Sequence, residues 1–226
     1  MAATITIRMP SKASIKTFRK RLSAPLKRQL VNAESRYLAA VRPKLQVALR
    51  ESLTRSPAYA SVSFGILRGE FGLIDGRGKM DVIIDFIVDN AIRVSKQIKL
   101  GKGNIDGQTA ITFSINYSAL TSLGEAFQLT EKDELLPWLA WLLQSGGNVV
   151  IDDYRVAKIG NRLGRSGLNY TMIEGGTYSP GDAGSRRLIG TADDNFITRA
   201  IADNLRLFRN IVSQEFKKSL QGIKIF

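Results

Sequence analysis

The chain has 226 residues, 44% hydrophobic and 23% charged, with a formal charge of +13 at pH 7. That is enough length for one domain with a sizeable core, and no apolar run approaches the ~20 residues that span a bilayer. Cysteine and histidine are both absent, which excludes disulfides, thiolate nucleophiles, cysteine or histidine metal ligands and every serine–histidine–acid triad. The composition thus predicts no catalytic residues, no metal and no cofactor.

Residues 3–9 alternate, with Ile5, Ile7 and Met9 on one side, and predict a short edge strand. Residues 11–53 follow helical spacing: Leu26, Leu30, Ala33, Tyr37, Ala40, Val41, Leu45, Ala48 and Leu49 form one apolar stripe. Pro25 suits the first turn of that helix, whereas Pro43 would kink or interrupt it. Residues 1–55 hold 13 Lys and Arg against Glu34 and Glu51, a net +11, while the remainder carries +2. Such an arm either meets a polyanion, nucleic acid or an acidic protein surface, or is a solvated helix face. Its candidate contact residues are Lys16, Arg19, Lys20, Arg21, Lys27 and Arg28. Ser56-Pro57 ends the segment, so residues 1–56 read as a basic helical arm packed on an α+β body of residues 57–226. Residues 1–18 lack the continuous apolar core of a signal peptide, and nothing predicts export.

Glycines punctuating short apolar runs make residues 61–79 read as turns and hairpins. Residues 81–88 alternate, with Val82, Ile84, Phe86 and Val88 on one side, and predict a half-buried strand. Residues 92–100 and 108–117 read as its neighbours, separated by a turn cluster at 101–107. The run ELLPWLAWLLQ at 134–144 predicts a helix apolar nearly all round, either buried or at an interface, stopped by Ser145-Gly146-Gly147. Residues 148–159 read as paired strands around Asp152-Asp153, and 160–190, with eight glycines, as loop. Thr191 and Asp194 resemble a capping box for a last helix reaching about Leu220. Phe196, Ile197, Ala200, Ile201, Leu205, Phe208, Ile211, Val212 and Phe216 share one face of it. The predicted fold is α+β: a twisted, mostly antiparallel sheet flanked by a long basic N-terminal helix and an amphipathic C-terminal helix.

Three patterns bear on chemistry. Asp81, Asp85 and Asp89 are the best case for a divalent cation, but on a strand the outer two stand roughly 26 Å apart at about 3.3 Å per residue. Gly72, Gly76, Gly78 and Lys79 fall short of a phosphate-binding loop, because Leu73 and Met80 occupy its first glycine and its hydroxyl positions. Gly164-Arg165-Ser166-Gly167, with Arg162, Arg186 and Arg187 nearby, offers a backbone nest for an anion. Trp138 and Trp141, three residues apart, suit core or interface packing.

The run LLPWLAWLL leading into Gly146 and VVIDDYRV, then GRSG at 164–167 with Met172, and finally GTADDNFITRAI at 190–201 resemble, in that order, the bacteriophage tail-completion or neck protein family. The resemblance covers residues 111–207. Where that family carries a proline-rich, tryptophan-containing turn, this chain has Gly176-Thr177-Tyr178-Ser179-Pro180. The resemblance implies a structural virion protein, made in the host bacterial cytoplasm. It would form a ring with itself, of expected sixfold symmetry, that terminates the tail and joins it to the head. Its neighbours would be neck connector or stopper proteins and tail tube or sheath proteins, with DNA in the lumen and no membrane. Trp138, Trp141, Asn195, Phe196 and Arg199 would then support folding or ring contacts. The rival readings are a neck stopper or connector, and a nucleic-acid-binding protein acting through the basic N-terminal helix.

Overall fold

The computed structural model describes residues 2–8, 24–101, 104–130, 133–144, 151–160, 164, 166–181 and 184–221, and their fold is α+β. The chain divides into two compact units, each discontinuous in sequence. The first comprises Met1–Ala3, Leu49–Val88 and Ile115–Asp203, and the second Thr4–Ala48, Asp89–Ser114 and Asn204–Phe226. No helix among the described residues is long and apolar enough to cross a membrane.

In the second unit, α1 (Ala24–Thr54) supplies the stripe that its spacing predicts: Tyr37, Val41, Leu45 and Ala48 are buried. The helix begins one residue before Pro25 and continues through Pro43, which is exposed. Strands β2 (Ile92–Gly101) and β3 (Asn104–Asn116) pair antiparallel from Ile92↔Phe113 to Gly101↔Asn104, and β1 (Ala2–Arg8) lies on the other side of β3. Phe113 meets Phe208 of the C-terminal helix, their ring centroids 5.0 Å apart, and Tyr37 meets Phe216 edge-on at 5.8 Å. Lys44 and Lys218 both reach the Glu215 carboxylate, at 2.6 and 3.1 Å. Burial pushes the Tyr37 hydroxyl up to about 12.

The first unit is built from short helices. Pro57–Ser63 forms α2, capped by Ser56, whose side chain accepts from the Tyr59 amide, and Ile66–Glu70 forms α3. These replace the turns and hairpins expected at 61–79. The glycines there let helices meet closely instead of turning strands: a Cβ on Gly76 would collide with the Val62 carbonyl.

Residues 81–88 are not a strand either; they lie in α4 (Gly76–Ala91). Met80, Ile83, Ile84, Ile87, Val88 and Ala91 are all buried while Val82 is 43% exposed, which is helical spacing. The run of β-branched residues is apolar at both odd and even positions, so it fitted a period of two as readily as one of 3.6, and burial of the helical face decided the outcome.

After α5 (Tyr117–Thr121) come a two-residue hairpin, β4 (Gln128–Leu129) with β5 (Leu135–Leu136), and the buried helix α6 (Trp138–Leu143). The helix is shorter than the predicted 134–144, and its expected stop at 145–147 lies outside the described residues. Asp152-Asp153 is not a turn between strands. Residues 151–158 form one strand, β6 (Ile151–Lys158), paired antiparallel with β7 (Tyr170–Tyr178) inside the stretch read as loop. The register shifts between Asp152↔Thr177 and Tyr154↔Glu174. Gly175 and Gly176, with φ of 88° and 105°, absorb the extra residue on β7, a backbone that side-chain-bearing residues rarely adopt. The final helix is two: α7 (Phe196–Asp203) and α8 (Leu205–Gln221), interrupted at Asn204, whose carbonyl accepts from the Phe208 amide.

Candidate functional site

Trp138 is completely buried and Trp141 7% exposed, both in the core of the first unit. The Trp138 indole nitrogen donates to the Glu125 carbonyl at 2.9 Å. Phe71 packs against both indoles with centroids 6.2 and 6.1 Å away, and Tyr178 packs on Trp141 at 6.2 Å. Phe196 is 3% exposed. Among the expected contact residues, these three therefore act through folding of the unit itself.

Asn195, fully buried, is the junction of that core. Its Nδ2 donates to the Tyr117 hydroxyl (2.8 Å), the Leu143 carbonyl (3.3 Å) and the Thr191 carbonyl (2.8 Å). Its Oδ1 accepts from the Ile197 and Thr198 amides at 3.0 and 3.3 Å. Asn195 is thus the residue that caps α7, and Thr198 answers by accepting the Asn195 amide through Oγ1 at 2.9 Å. The predicted box at Thr191 exists as a turn one step earlier, where Thr191 Oγ1 accepts from the Asp194 amide at 3.2 Å. Gly190 donates to the Leu142 carbonyl at 2.9 Å, and a Cβ there would overlap Asn195. Burial raises the Tyr117 hydroxyl above its ordinary value, more than the bond from Asn195 lowers it.

Arg199 sits on the surface and grips Asp194 through two bonds, Nε to Oδ1 at 2.6 Å and Nη2 to Oδ2 at 2.9 Å, while Nη1 donates to the Arg187 carbonyl. These bonds hold the Asp194 carboxyl below its ordinary value. Glu215 is held low in the same way, by Lys44 first and Lys218 second. A carboxylate depressed in the folded state adds stability that is complete above its unfolded pKa and lost as pH falls through the folded one. Stability should therefore decline as pH drops below about 4. Thermal unfolding between pH 7 and pH 3 tests this, the double variant Asp194→Asn, Glu215→Gln showing a shallower decline than the parent.

Asp81, Asp85 and Asp89 share one face of α4 and take separate partners. Asp81 accepts from the Tyr59 hydroxyl at 2.8 Å and lies 3.7 Å from Arg77, Asp85 pairs with Arg50, and Asp89 accepts from Gln46 at 3.5 Å. Among the described residues no group of three or more acids could hold a metal ion. Lys79 donates to the Phe127 carbonyl at 2.8 Å. In the predicted anion nest, Gly167 donates to the Gly164 carbonyl at 2.9 Å, while Arg162 and Arg165 lie outside the described residues. So do Lys16, Arg19, Lys20 and Arg21; Lys27 and Arg28 lie in α1.

Two features escaped the sequence reading. The first is Glu70, at the end of α3 and fully buried. Its Oε1 accepts from the Tyr178 hydroxyl at 2.7 Å and from the Gly181 amide, and its Oε2 from the Ser185 hydroxyl at 3.0 Å. A carboxylate set between Leu67, Phe71 and Leu73 was the available signal, since an acid inside an apolar run needs donors when it is buried. The second is an open cavity of about 490 Å³ in the first unit, formed by the end of α3, the β4–β5 hairpin and the β6–β7 pair. No local pattern marks it, because its lining comes from three separate stretches of chain.

The fold is that of an α+β protein with a densely bonded core in its first unit and an open cavity beside α3. No known family, no curated protein and no solved structure matches the chain.

Proposed function

We propose that this chain is a structural protein of the phage virion neck. In this reading it is one subunit of a homo-oligomeric ring that terminates the tail and joins it to the head, between connector or stopper proteins and the tail tube or sheath. Its work is assembly and not catalysis. The observation that carries the reading is that two of the motif segments on which the family resemblance rests are bonded to each other: Asn195 of GTADDNF donates to Leu143 of LLPWLAWLL, and Gly190 to Leu142. Motifs that resemble a family in order thus also meet in space as one buried hub. Apolar side chains left in solvent, Phe64 at 57% and Ile74 at 56% exposed, give a subunit of this kind area to cover on a neighbour.

Negative-stain electron microscopy of the purified protein, alone and mixed with tail tubes, tests this. Rings seated at tube ends are the expected result; solitary particles and unaltered tube ends would contradict it. The net +11 of residues 1–55 favours a second reading, nucleic-acid binding through the basic arm. That reading requires DNA affinity to fall steeply with salt, by about 0.9 log units per log unit of salt for each phosphate neutralised. DNA affinity that is absent or indifferent to salt would remove it.

A further inference from the structure

Helix α8 presents to solvent a face from which acids are missing. Arg206, Arg209, Asn210, Ser213, Gln214 and Lys217 are all exposed, and at 3.6 residues per turn they fall within one arc of about 140°. The opposite side carries the buried Phe208 and Val212, with the single acid of the helix, Glu215, bound there to Lys44 and Lys218. Side chains at i and i+4 are neighbours on a helix, where an acid pairs with a base. The positions that would serve Arg206 and Arg209 in that way hold Asn210 and Ser213, and Ser213 also stands four residues before Lys217. Among the described residues, none forms an ion pair with Arg206, Arg209 or Lys217. Exposed cations elsewhere behave otherwise: Arg50 pairs with Asp85, Arg77 with Asp81 and Arg199 with Asp194.

Unpaired cations interspersed with neutral hydrogen-bonding side chains fit a surface of closely spaced anions. Phosphate oxygens are bound by that mixture, arginine and lysine together with serine, asparagine and glutamine. An acidic protein surface fits less well. Stable protein interfaces have a desolvated core enriched in aromatic side chains, and between Arg206 and Lys217 this arc holds no apolar residue. We propose that this face of α8 binds the phosphate backbone of duplex nucleic acid without reading its sequence. Arg206 and Lys217 lie about 16 Å apart along the axis at 1.5 Å per residue. Over that length a duplex presents about nine charges, one per ~1.7 Å, so phosphates are dense enough for each cation to meet one. The inference goes beyond the basic arm, because these residues belong to the folded body at the other end of the chain, and it stands whether or not the arm also meets nucleic acid.

Fluorescence anisotropy of the full chain with a short labelled duplex, between about 50 and 200 mM salt, tests this in three variants that each remove three charges. The first is Arg206→Gln, Arg209→Gln, Lys217→Gln on α8. The second is Lys16→Gln, Arg19→Gln, Lys20→Gln in the arm. The third, Arg155→Gln, Lys158→Gln, Arg187→Gln, removes exposed cations elsewhere. Glutamine is a good helix former and the α8 side chains are exposed, so the first variant should melt where the parent does. Its slope of log affinity against log salt should be shallower by about 2.7, at 0.9 per phosphate released. Over the stated range the parent then loses about 40-fold more affinity than the variant, equally on duplexes of unrelated sequence. The third variant should keep a slope near the parent's. An unchanged slope in the α8 variant overturns the proposal, as does an equal change in the third variant, which would make net charge the whole cause. Displacement of the duplex by poly-glutamate more readily than by unlabelled duplex at equal charge overturns it in favour of an acidic protein partner. A parent that binds no duplex removes this surface and the arm reading together. The second variant separates them: a slope lowered only there sinks the α8 face and leaves the arm standing, and one lowered only in the first does the reverse. Slopes lowered in both support the two surfaces alike.

Discussion

Asn195→Ala is expected to lower the unfolding free energy by about 3–4 kcal/mol, the larger share coming from buried acceptors and not from the helix cap. Loss of an N-cap costs ~1 kcal/mol. The alanine also strands the Tyr117 hydroxyl and the Leu143 carbonyl, both on buried residues, at about 1–1.5 kcal/mol each, the low end for polar groups left without partners, while Thr191 is exposed and its carbonyl can turn to water. Asn195→Asp separates the two contributions. Aspartate caps a helix about as well as asparagine, so a residue that mattered only as a cap would tolerate the change. Here the aspartate would turn an acceptor toward three groups that now accept from Nδ2, two of them carbonyls with no proton to give. We therefore expect Asn195→Asp to be at least as damaging as Asn195→Ala in urea unfolding. Near-parental stability of the aspartate variant would show that the hub contributes little beyond its cap.

Glu70→Ala is the second large effect, expected at about 3–5 kcal/mol, since each of three buried donors left without its acceptor costs at least about 1 kcal/mol. Three donors converge on this carboxylate from Tyr178, Gly181 and Ser185. Truncation leaves them facing a void, and the segment from the end of β7 through the turn at Arg186–Leu188 loses its anchor on α3. Glu70→Gln keeps the shape and one good acceptor, and its amide meets Ser185, a hydroxyl able to accept. Its cost should be about 1–2 kcal/mol. Urea unfolding of both variants checks the order. Equal and small losses would mean that the carboxylate merely fills space.

What was legible in the sequence followed from burial on one side of an element. The stripe from Tyr37 to Leu49 on α1, the alternation of Ile111, Phe113 and Ile115 on β3, and the apolar face of the last helices each declare a period, and each exists where it was read, whereas the turn expected at 101–107 is largely strand, paired as far as Gly101↔Asn104. The failures share a different cause. In α4 both faces of VIIDFIV are apolar, so the period was ambiguous until neighbours chose a face. Strand β7 has glycines at 175 and 176 that look like loop, but the backbone needs them for a bulge within a paired strand. Of the candidate site, Trp138, Trp141, Asn195 and Phe196 were found through the motifs they belong to. What those residues touch was not readable, because the Asn195 network joins stretches 78 and 52 residues apart. Glu70 and Ser185, 115 residues apart, are joined in the same way. Long-range polar pairing leaves little local trace, whereas apolar periodicity is local by construction.

The central claim is that this protein works by assembling with itself, and its mass in solution tests that most directly. Light scattering or mass photometry across rising concentration should show a discrete species at a whole multiple of the 24.9 kDa chain, persisting on dilution. A particle of 24.9 kDa at every concentration would contradict the account.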